Sequence, residues 1–329
     1  MDMFRITVVI PTYQRTMLLS RCLDALTKQT LNQRLYDIIV VGDGYDNETE
    51  ELVATFNTAF ENRITYLYTE CKKGPAAARN LGWLYADGHL VAFTDDDCIP
   101  DELWLQEIFD AYNGEEKIVY TGSVYVPTPE SPTDFERNTA QLEVAEFITA
   151  NCICTKQALY HVGGFDERFK MAWREDSDLH FKLLRAKIPI IKLNKAVVIH
   201  PARKAKWGIS IKEQKKGIYN ALLAKKFPSL YQARIGHPTN ALYYSLLLLL
   251  ISMVLLWHVN LKWAFFASLS FWLFLTAKFI LIRLRGTSKS PSHIAEMVFT
   301  SILIPYLSIF WQLYGSIKYR TVYNIKIGK

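Results

Sequence analysis

No two cysteines in this sequence have the spacing of a zinc or dithiol redox motif. The five present, Cys22, Cys71, Cys98, Cys152 and Cys154, are scattered, and Cys152-Ile153-Cys154 lacks the second ligand pair a zinc site needs. They read as reduced thiols facing the cytosol. Also missing is a basic n-region with a cleavage site: Phe4-Arg5-Ile6-Thr7-Val8-Val9-Ile10 runs straight into a strand pattern, so no signal peptide is expected. Long stretches after Asn240 carry almost no charge. Half of the 329 residues are hydrophobic, and the excess sits mostly in that last part. The net charge is +6, with Lys and Arg concentrated between Arg203 and Arg234. Because this basic block immediately precedes apolar spans, an anionic lipid surface suits it better than nucleic acid, which is not expected as a partner.

Ahead of the apolar part, strands and helices alternate. Residues 6–10 are a β-branched run stopped by Pro11-Thr12, and 17–28 place Leu18, Leu19, Cys22, Leu23, Ala25 and Leu26 at helical spacing. The apolar run 36–41 ends in Gly42-Asp43-Gly44, 48–60 is helical, 64–68 is a third strand, and Gly74-Pro75 opens a further helix. Residues 90–93 form a fourth strand, which delivers Asp95, Asp96 and Asp97. This alternation predicts an α/β fold, a Rossmann-like, mostly parallel sheet with helices on both faces. In such sheets ligands sit outside the carboxyl ends of the strands, and the breaks at Pro11, Gly42 and Asp95 all fall on that edge. Further along, 118–126 reads as a strand, 127–138 as a mobile loop, 151–155 as a short strand, 176–187 as a helix, and 188–200 as containing the last strand.

Residues 207–231 are basic and amphipathic. Ile209, Ile211, Ile218, Leu222, Leu223 and Phe227 alternate with Lys212, Lys215, Lys216, Lys225 and Lys226. That suits a helical segment on an anionic membrane face, or an ordinary solvated surface helix. Residues 241–259 and 261–282 are each long enough to span a bilayer, which takes about 20 residues. Lys262 and Lys278 can snorkel from the span ends, and Tyr243, Tyr244, Trp257 and Trp263 suit an interfacial aromatic belt. The short turn between the spans makes them a hairpin. Arg234 and many lysines precede it, and Arg283, Arg285 and Lys289 follow, so the positive-inside tendency puts both its ends and the first domain in the cytosol. The stretch 294–317 is interrupted by Glu296, Pro305 and Gln312, and crossing would strand Lys318, Arg320, Lys326 and Lys329 outside. A re-entrant or interfacial segment is expected there, with a span as the alternative. Three parts follow: a catalytic domain over 1–205, a membrane-interface segment over 206–238, and a transmembrane part over 239–329.

Three consecutive carboxylates after a buried strand need a positive partner. Asp95 and Asp97 are spaced so that an extended segment would point both the same way, and two converging carboxylates suit Mg2+ or Mn2+ bridging to phosphates. Taken alone, such a trio is more often an acidic surface turn than a metal site. It does not stand alone. Arg79 adds positive charge on the same edge, Asp43 could accept from a nucleobase N–H, and Tyr13 could flank a base.

In order and spacing, PTYQR, VVGDG, GPAAARNLG, FTDDDCIP, NCICTK, VGGFDERF, WREDSDLHFKL and VVIHP resemble the family 2 glycosyltransferases of GT-A fold, over roughly residues 4–200. The resemblance implies inverting transfer of one sugar from a nucleotide-diphosphate sugar, with Mn2+ or Mg2+. Carried over by position, Pro11, Thr12, Tyr13, Arg15, Asp43, Gly74, Arg79, Asp95 and Asp96 would line the nucleotide site, and Asp95, Asp97 and His200 would hold the metal. Asp176, in the Glu175-Asp176 pair, would be the general base that activates an acceptor hydroxyl. With the anchor, this makes a lipid or lipid-linked glycan the expected acceptor, at the cytosolic face of a plasma or inner membrane, in cell-envelope glycan or glycolipid synthesis. The chain departs from the family in three places. Gly42-Asp43 stands where paired acids are usual, Arg174 where a small residue is usual, and the Gln-x-x-Arg-Trp motif of processive synthases is absent. A catalytically silent recruitment module and a nucleotidyltransferase are the other readings. Sugar choice is expected to depend on the loops around Asn151 and 127–138.

Overall fold

Every residue of the first strand, β1 (Ile6–Thr12), is buried, yet its side chains enter two different cores. Ile6, Val8 and Ile10 join one hydrophobic cluster and Val9 the other, as the two-residue period of an extended chain requires. The computed structural model describes residues 5–61, 63–236 and 241–321. Phe4, Asn240, Lys326 and Lys329, invoked above, lie outside the described residues. The chain divides into two compact units, Met1–Pro127 with Ala140–Ala202, and Thr128–Thr139 with Arg203–Lys329.

In the first unit β1 is followed by β2 (Tyr36–Gly42), β3 (Ile64–Tyr68), β4 (Leu90–Phe93), β5 (Ile99–Pro100), β6 (Val119–Tyr125), β7 (Cys152–Thr155) and β8 (Ile190–Ile199). They form one eight-stranded sheet in the order β3-β2-β1-β4-β7-β6-β8-β5. The first four are parallel neighbours, whereas β7 runs antiparallel to both β4 and β6, and β5 antiparallel to β8. The sheet is therefore mixed, and its parallel half carries the edge expected from the sequence. Thr12 pairs with Gly42 and Gly42 with Tyr68, so the ends of β1, β2 and β3 are level.

Helices cover both faces. On one side lie α1 (Thr16–Thr27), α2 (Asn47–Ala59) and, beyond α3 (Pro75–Tyr85) in sequence, α4 (Trp104–Ala111); Leu19, Leu23, Val53, Trp104 and Ile108 fill that core. After α5 (Asp134–Thr139), which belongs to the second unit, α6 (Lys156–Val162) and α7 (Glu175–Arg185) join α3 on the other face, contributing Leu159, Leu179, Leu183 and Trp83. Helix α3 lies against β1 and β2 at Gly82, where a Cβ would come within 2.4 Å of Val9 Cγ1 and 3.1 Å of Val41 Cγ2. Gly82→Ala is accordingly expected to destabilise the protein by about 1–3 kcal/mol through overpacking, measurable as a lowered thermal midpoint.

Asn151 is a framework residue. Its amide donates to the carbonyls of Ser123 (2.8 Å) and Ala196 (2.9 Å) and accepts from the Trp104 indole at 2.9 Å. These bonds hold the register shift between β6 and β8 at Gly122/Ser123. Fully buried and engaged at both its amide oxygen and nitrogen, its side chain holds strands together.

The second unit departs from expectation in three places. The segment read as a mobile loop contains α5, whose Asp134 Oδ2 accepts from Arg283 Nη2 at 2.8 Å. The basic stretch is not one amphipathic helix. Gly208, Gly217 and Pro228 punctuate it, and it forms α8 (Ile209–Glu213), a 3-10 turn, α9 (Ile218–Lys226) and α10 (Pro228–Arg234). Ile218, Tyr219, Ala221, Leu222 and Leu223 are buried, and α9 packs against a later helix of the same unit. That helix is the third departure. After α11 (Ala241–His258) and α12 (Lys262–Leu284), α13 (Pro291–Tyr319) is continuous for 29 residues despite Pro305.

All three long helices are long and apolar enough to cross a membrane, and at 1.5 Å per residue α13 is about 43 Å long. Glu296, Thr300 and Ser301 find partners within the unit. Glu296 accepts from the Gly208 backbone N–H at 2.7 Å, and Thr300 and Ser301 accept from Arg283 Nη1 at 2.7 and 3.0 Å. Internal pairing of this kind is how ionisable groups are tolerated near hydrocarbon.

Candidate active site

The carboxyl edge of the parallel half-sheet is assembled from local turns. The Asp43 backbone N–H donates to Thr12 O at 2.8 Å, and Asp43 Oδ1 accepts from the N–H groups of Lys73 (2.6 Å) and Gly74 (2.9 Å). One aspartate thus ties β2 to the entrance of α3. Gly74 sits at φ 102° and a Cβ there would lie 2.6 Å from Lys170 O, so only glycine fits. Pro75 then starts α3 with a preset φ. Tyr13 lies on this edge with the Lys72 Nζ 3.2 Å from its ring centroid.

The three aspartates after β4 do not lie on an extended segment. The Cys98 N–H donates to Asp95 O at 3.0 Å, closing a turn, and the turn sends each carboxylate to its own cationic or polar partner. Asp95 Oδ1 accepts from Arg79 Nη2 at 2.6 Å. Asp96 is directed inward, only 2% exposed, and accepts from Thr12 Oγ1 at 2.8 Å and Arg15 Nη1 at 3.0 Å. Burial pushes its carboxyl up to about 6 against the pull of Arg15. Asp97 Oδ1 lies 3.7 Å from His200 Nε2. Arg79 and Arg15, placed by two different helices' approaches to the sheet, are therefore resident positive partners of the acidic run.

Asp95, Asp97, Cys98 and His200 each offer one ligand atom within 4.8 Å of the others. The His200 N–H donates to Tyr125 O at 2.8 Å, which fixes the residue at the end of β8, and its ring Nδ1 is buried with no hydrogen-bond partner among the described residues. Two carboxylates with an imidazole left short of a partner fit a hard divalent cation such as Mn2+ or Mg2+. Cys98 is a neighbour that sequence reasoning missed. Burial, then the charges of Asp95 and Asp97, push its thiol well up, so it remains protonated beside them.

The second acid pair comes from α7. Arg79 is 2% exposed and forked: Nη2 reaches Asp95, and Nη1 reaches Glu175 Oε1 at 3.2 Å. This bridge from the end of β4 to the start of α7 was not foreseen. Its signal was present, because a lone arginine on the buried face of the helix Ala76, Ala77, Ala78, Arg79, Gly82, Trp83 must find acids. Burial, then the Asp176 charge, push Glu175 up to about 7 against Arg79. Asp176 is half-buried; its Oδ1 accepts from the Ser177 N–H at 2.6 Å. Burial raises it above the usual carboxylate range, opposed by that N–H and by Arg174.

The structure thus gathers Asp95, Asp97 and His200 into one cluster and joins it through Arg79 to Glu175, next to Asp176. Thr12, Arg15 and Asp96 interlock beneath the same edge, while Tyr13, Asp43 and Gly74 form its other end; Pro11 lies within β1, paired with Val41.

A half-parallel sheet that ends in such carboxylates and recruits a second acid pair from a later helix has the architecture of GT-A glycosyltransferases. Residues 7–174 match glycosyl transferase family 2, and the chain belongs to that family. Among its relatives is the glycosyltransferase AglE of Haloferax volcanii, 33% identical over 132 residues, which cover 40% of this chain and 43% of that protein. Another is the validoxylamine A glucosyltransferase of Streptomyces hygroscopicus subsp. jinggangensis, 26% identical over 223 residues, 56% of this chain and 52% of that protein. These matches span about half the length of the relatives or less. The E. coli enzyme WfgD, a UDP-Glc:alpha-D-GlcNAc-diphosphoundecaprenol beta-1,3-glucosyltransferase, is 30% identical over 105 residues, 32% of this chain and 38% of its own. Among solved structures, the Pyrobaculum calidifontis mannosyltransferase PcManGT in complex with GDP-Man and Mn2+ has the same fold, with TM-score 0.55 and 16% identity over 94% of this chain and 87% of that one.

Proposed function

We propose that this glycosyltransferase moves one sugar, with inversion, from a nucleotide-diphosphate sugar to a hydroxyl of a lipid or lipid-linked acceptor at the cytosolic membrane face. The observation that carries the reading is the Arg79 bridge, which couples a cation-competent cluster to the Glu175-Asp176 pair. A donor site needs the first, and acceptor activation needs the second. WfgD, by name, glycosylates a diphosphoundecaprenol-linked sugar, and three helices apolar enough to span support a membrane-borne acceptor. The parts read from the sequence, 1–205 catalytic and the remainder membrane-associated, are proposed on the same grounds.

In this reading Tyr13 and Asp43 receive the nucleobase, and Asp95, Asp97 and His200 would hold the cation. A bound divalent ion would neutralise the charge of the departing diphosphate. Asp176 takes the proton of the acceptor hydroxyl as it attacks the anomeric carbon, and that single displacement inverts the centre. Arg79 is engaged at both ends by carboxylates, so its role is to hold Asp95 and Glu175 at fixed separation. Thr12 and Arg15 act through Asp96 to shape the turn that presents Asp95 and Asp97.

The test is release of nucleoside diphosphate from a panel of nucleotide sugars by detergent-purified protein with Mn2+, with and without a membrane-lipid extract. Lipid-stimulated release from one donor is expected. Asp97→Ala should weaken Mn2+-dependent nucleotide binding by about 100-fold or more, since losing even an outer-shell partner of a metal ligand costs about 10- to 100-fold in metal affinity, as read by calorimetry. Absence of release from every donor, together with no Mn2+-dependent nucleotide binding by the wild type, would overturn the enzyme reading.

A further inference from the structure

Immediately before the acid pair, the chain does something costly. Arg174 caps α7 with φ 74° and ψ −6°, a left-handed conformation that glycine adopts freely and a long side chain does not. It makes no side-chain capping bond to the helix in return. Its guanidinium instead lies 4.7 Å from the ring centroid of Trp173, and its charge acts on Asp176. Trp173 is 39% exposed, and its backbone N–H is held by Met171 O at 2.7 Å in a tight turn. The arrangement is a large aromatic surface in a stiff turn, braced by a cation, three residues from the proposed base.

We propose that Trp173 and Arg174 are the acceptor-recognition edge of this site, and that the acceptor is a saccharide carrying a phosphate or diphosphate. The C–H-rich face of a sugar ring packs on an aromatic surface, while a planar, permanently charged guanidinium takes phosphate oxygens in paired hydrogen bonds. The Arg174 charge reaches the Asp176 carboxylate and Arg174 in turn lies on Trp173, so an acceptor whose hydroxyl meets Asp176 comes within reach of this pair. The inference rests on the transferase reading above and narrows it, since a bare lipid phosphate has no ring for Trp173.

Binding is read by isothermal titration calorimetry with four probes: N-acetylglucosamine 1-phosphate, the same sugar on a short prenyl diphosphate, its neutral methyl glycoside, and the prenyl phosphate without sugar. The two phosphorylated sugars are expected to bind wild type at least ten-fold more tightly than either other probe. A stronger signal from the prenyl-linked form identifies a lipid-borne source, and equal signals a soluble one. Trp173→Leu should weaken both phosphorylated probes at least ten-fold, while Trp173→Phe, which keeps a ring, stays within about three-fold. Arg174→Gly should lose at least ten-fold on the phosphorylated probes and nothing on the methyl glycoside, with an unchanged or raised thermal midpoint because glycine relieves the turn. Arg174→Lys should recover part of the loss. Calorimetric affinity for the nucleotide-sugar donor with Mn2+ is expected to be unchanged in all four variants.

Equal binding by wild type, Trp173→Leu and Arg174→Gly would overturn the inference. So would prenyl phosphate binding as well as the sugar-bearing probe, or binding of none of the four. A wild type that binds the sugar phosphates but no nucleotide sugar would instead count against the transferase reading, leaving this site standing.

Discussion

Asp176→Asn is expected to lower turnover about 10³- to 10⁴-fold, the upper part of the range for loss of a positioned general base, with nucleotide-sugar affinity unchanged. Asparagine keeps the shape of the side chain and the bond from the Ser177 N–H but cannot take a proton. The effect should therefore fall on turnover and not on half-saturation. The pH profile supplies a second signature. Burial raises both Asp176 and Glu175, the latter to about 7, and neighbouring acids titrate as a pair. A base works only when ionised, so the rate should fall as pH drops, with its acid limb lying between the usual carboxylate range and about 7. A limb at an ordinary carboxylate position, or an Asp176→Asn variant turning over within ten-fold of wild type, would remove Asp176 from the role.

Arg79→Ala should be the most disruptive single change to the fold of the first unit. It leaves Asp95 and the buried Glu175 without their shared counter-charge, and breaking a buried pair by removing one partner costs about 3–5 kcal/mol. For a unit of this size that is a drop in thermal midpoint on the order of 10 °C or more. Arg79→Lys keeps the charge but offers a point in place of a fork and should recover only part of the loss. Adding Glu175→Gln to Arg79→Ala should restore some stability by removing one of the two stranded acids. Since burial raises Glu175, its ionisation opposes folding. Its contribution is favourable below the usual carboxylate range and is lost as pH climbs toward about 7, so the double variant should also lose that slope. A midpoint within two or three degrees of wild type for Arg79→Ala would show that the bridge carries little of the fold.

How much was legible in advance differs from element to element. The carboxyl edge was readable because the first, second and fourth parallel strands are short apolar runs, stopped by Pro11, by Gly42-Asp43 and by the aspartates from Asp95, and parallel packing makes such stops level. The Asp95–Asp97 pair was anticipated for the wrong geometric reason: a hydrogen-bonded turn, not an extended segment, brings the two carboxylates into one cluster. The basic stretch reads as a helical segment on a membrane face, or as a solvated surface helix, because alternating Lys and Ile satisfies a local period whether or not another helix covers it. In the structure α9 is covered by α13, and Gly217 and Pro228 interrupt the period. At α13 the interruptions by Glu296, Pro305 and Gln312 suggest a re-entrant or interfacial segment, with a span as the alternative. The helix continues because Glu296 and Gln312 find hydrogen-bond partners in Gly208 and Ser308, which removes the cost of their polarity.

By itself the sequence determined the strand–helix alternation, the edge on which ligands gather, the family motifs and the three apolar stretches, since each depends on residues close together in the chain. Only the tertiary structure decided which acid meets which cation. Asp96 turns to Arg15 over a separation of 81 residues, and Arg79 reaches Glu175 over 96. Nothing in local periodicity specifies a pairing at that distance. It is set by the order in which the strands lie side by side and by the need of every buried charge for a partner.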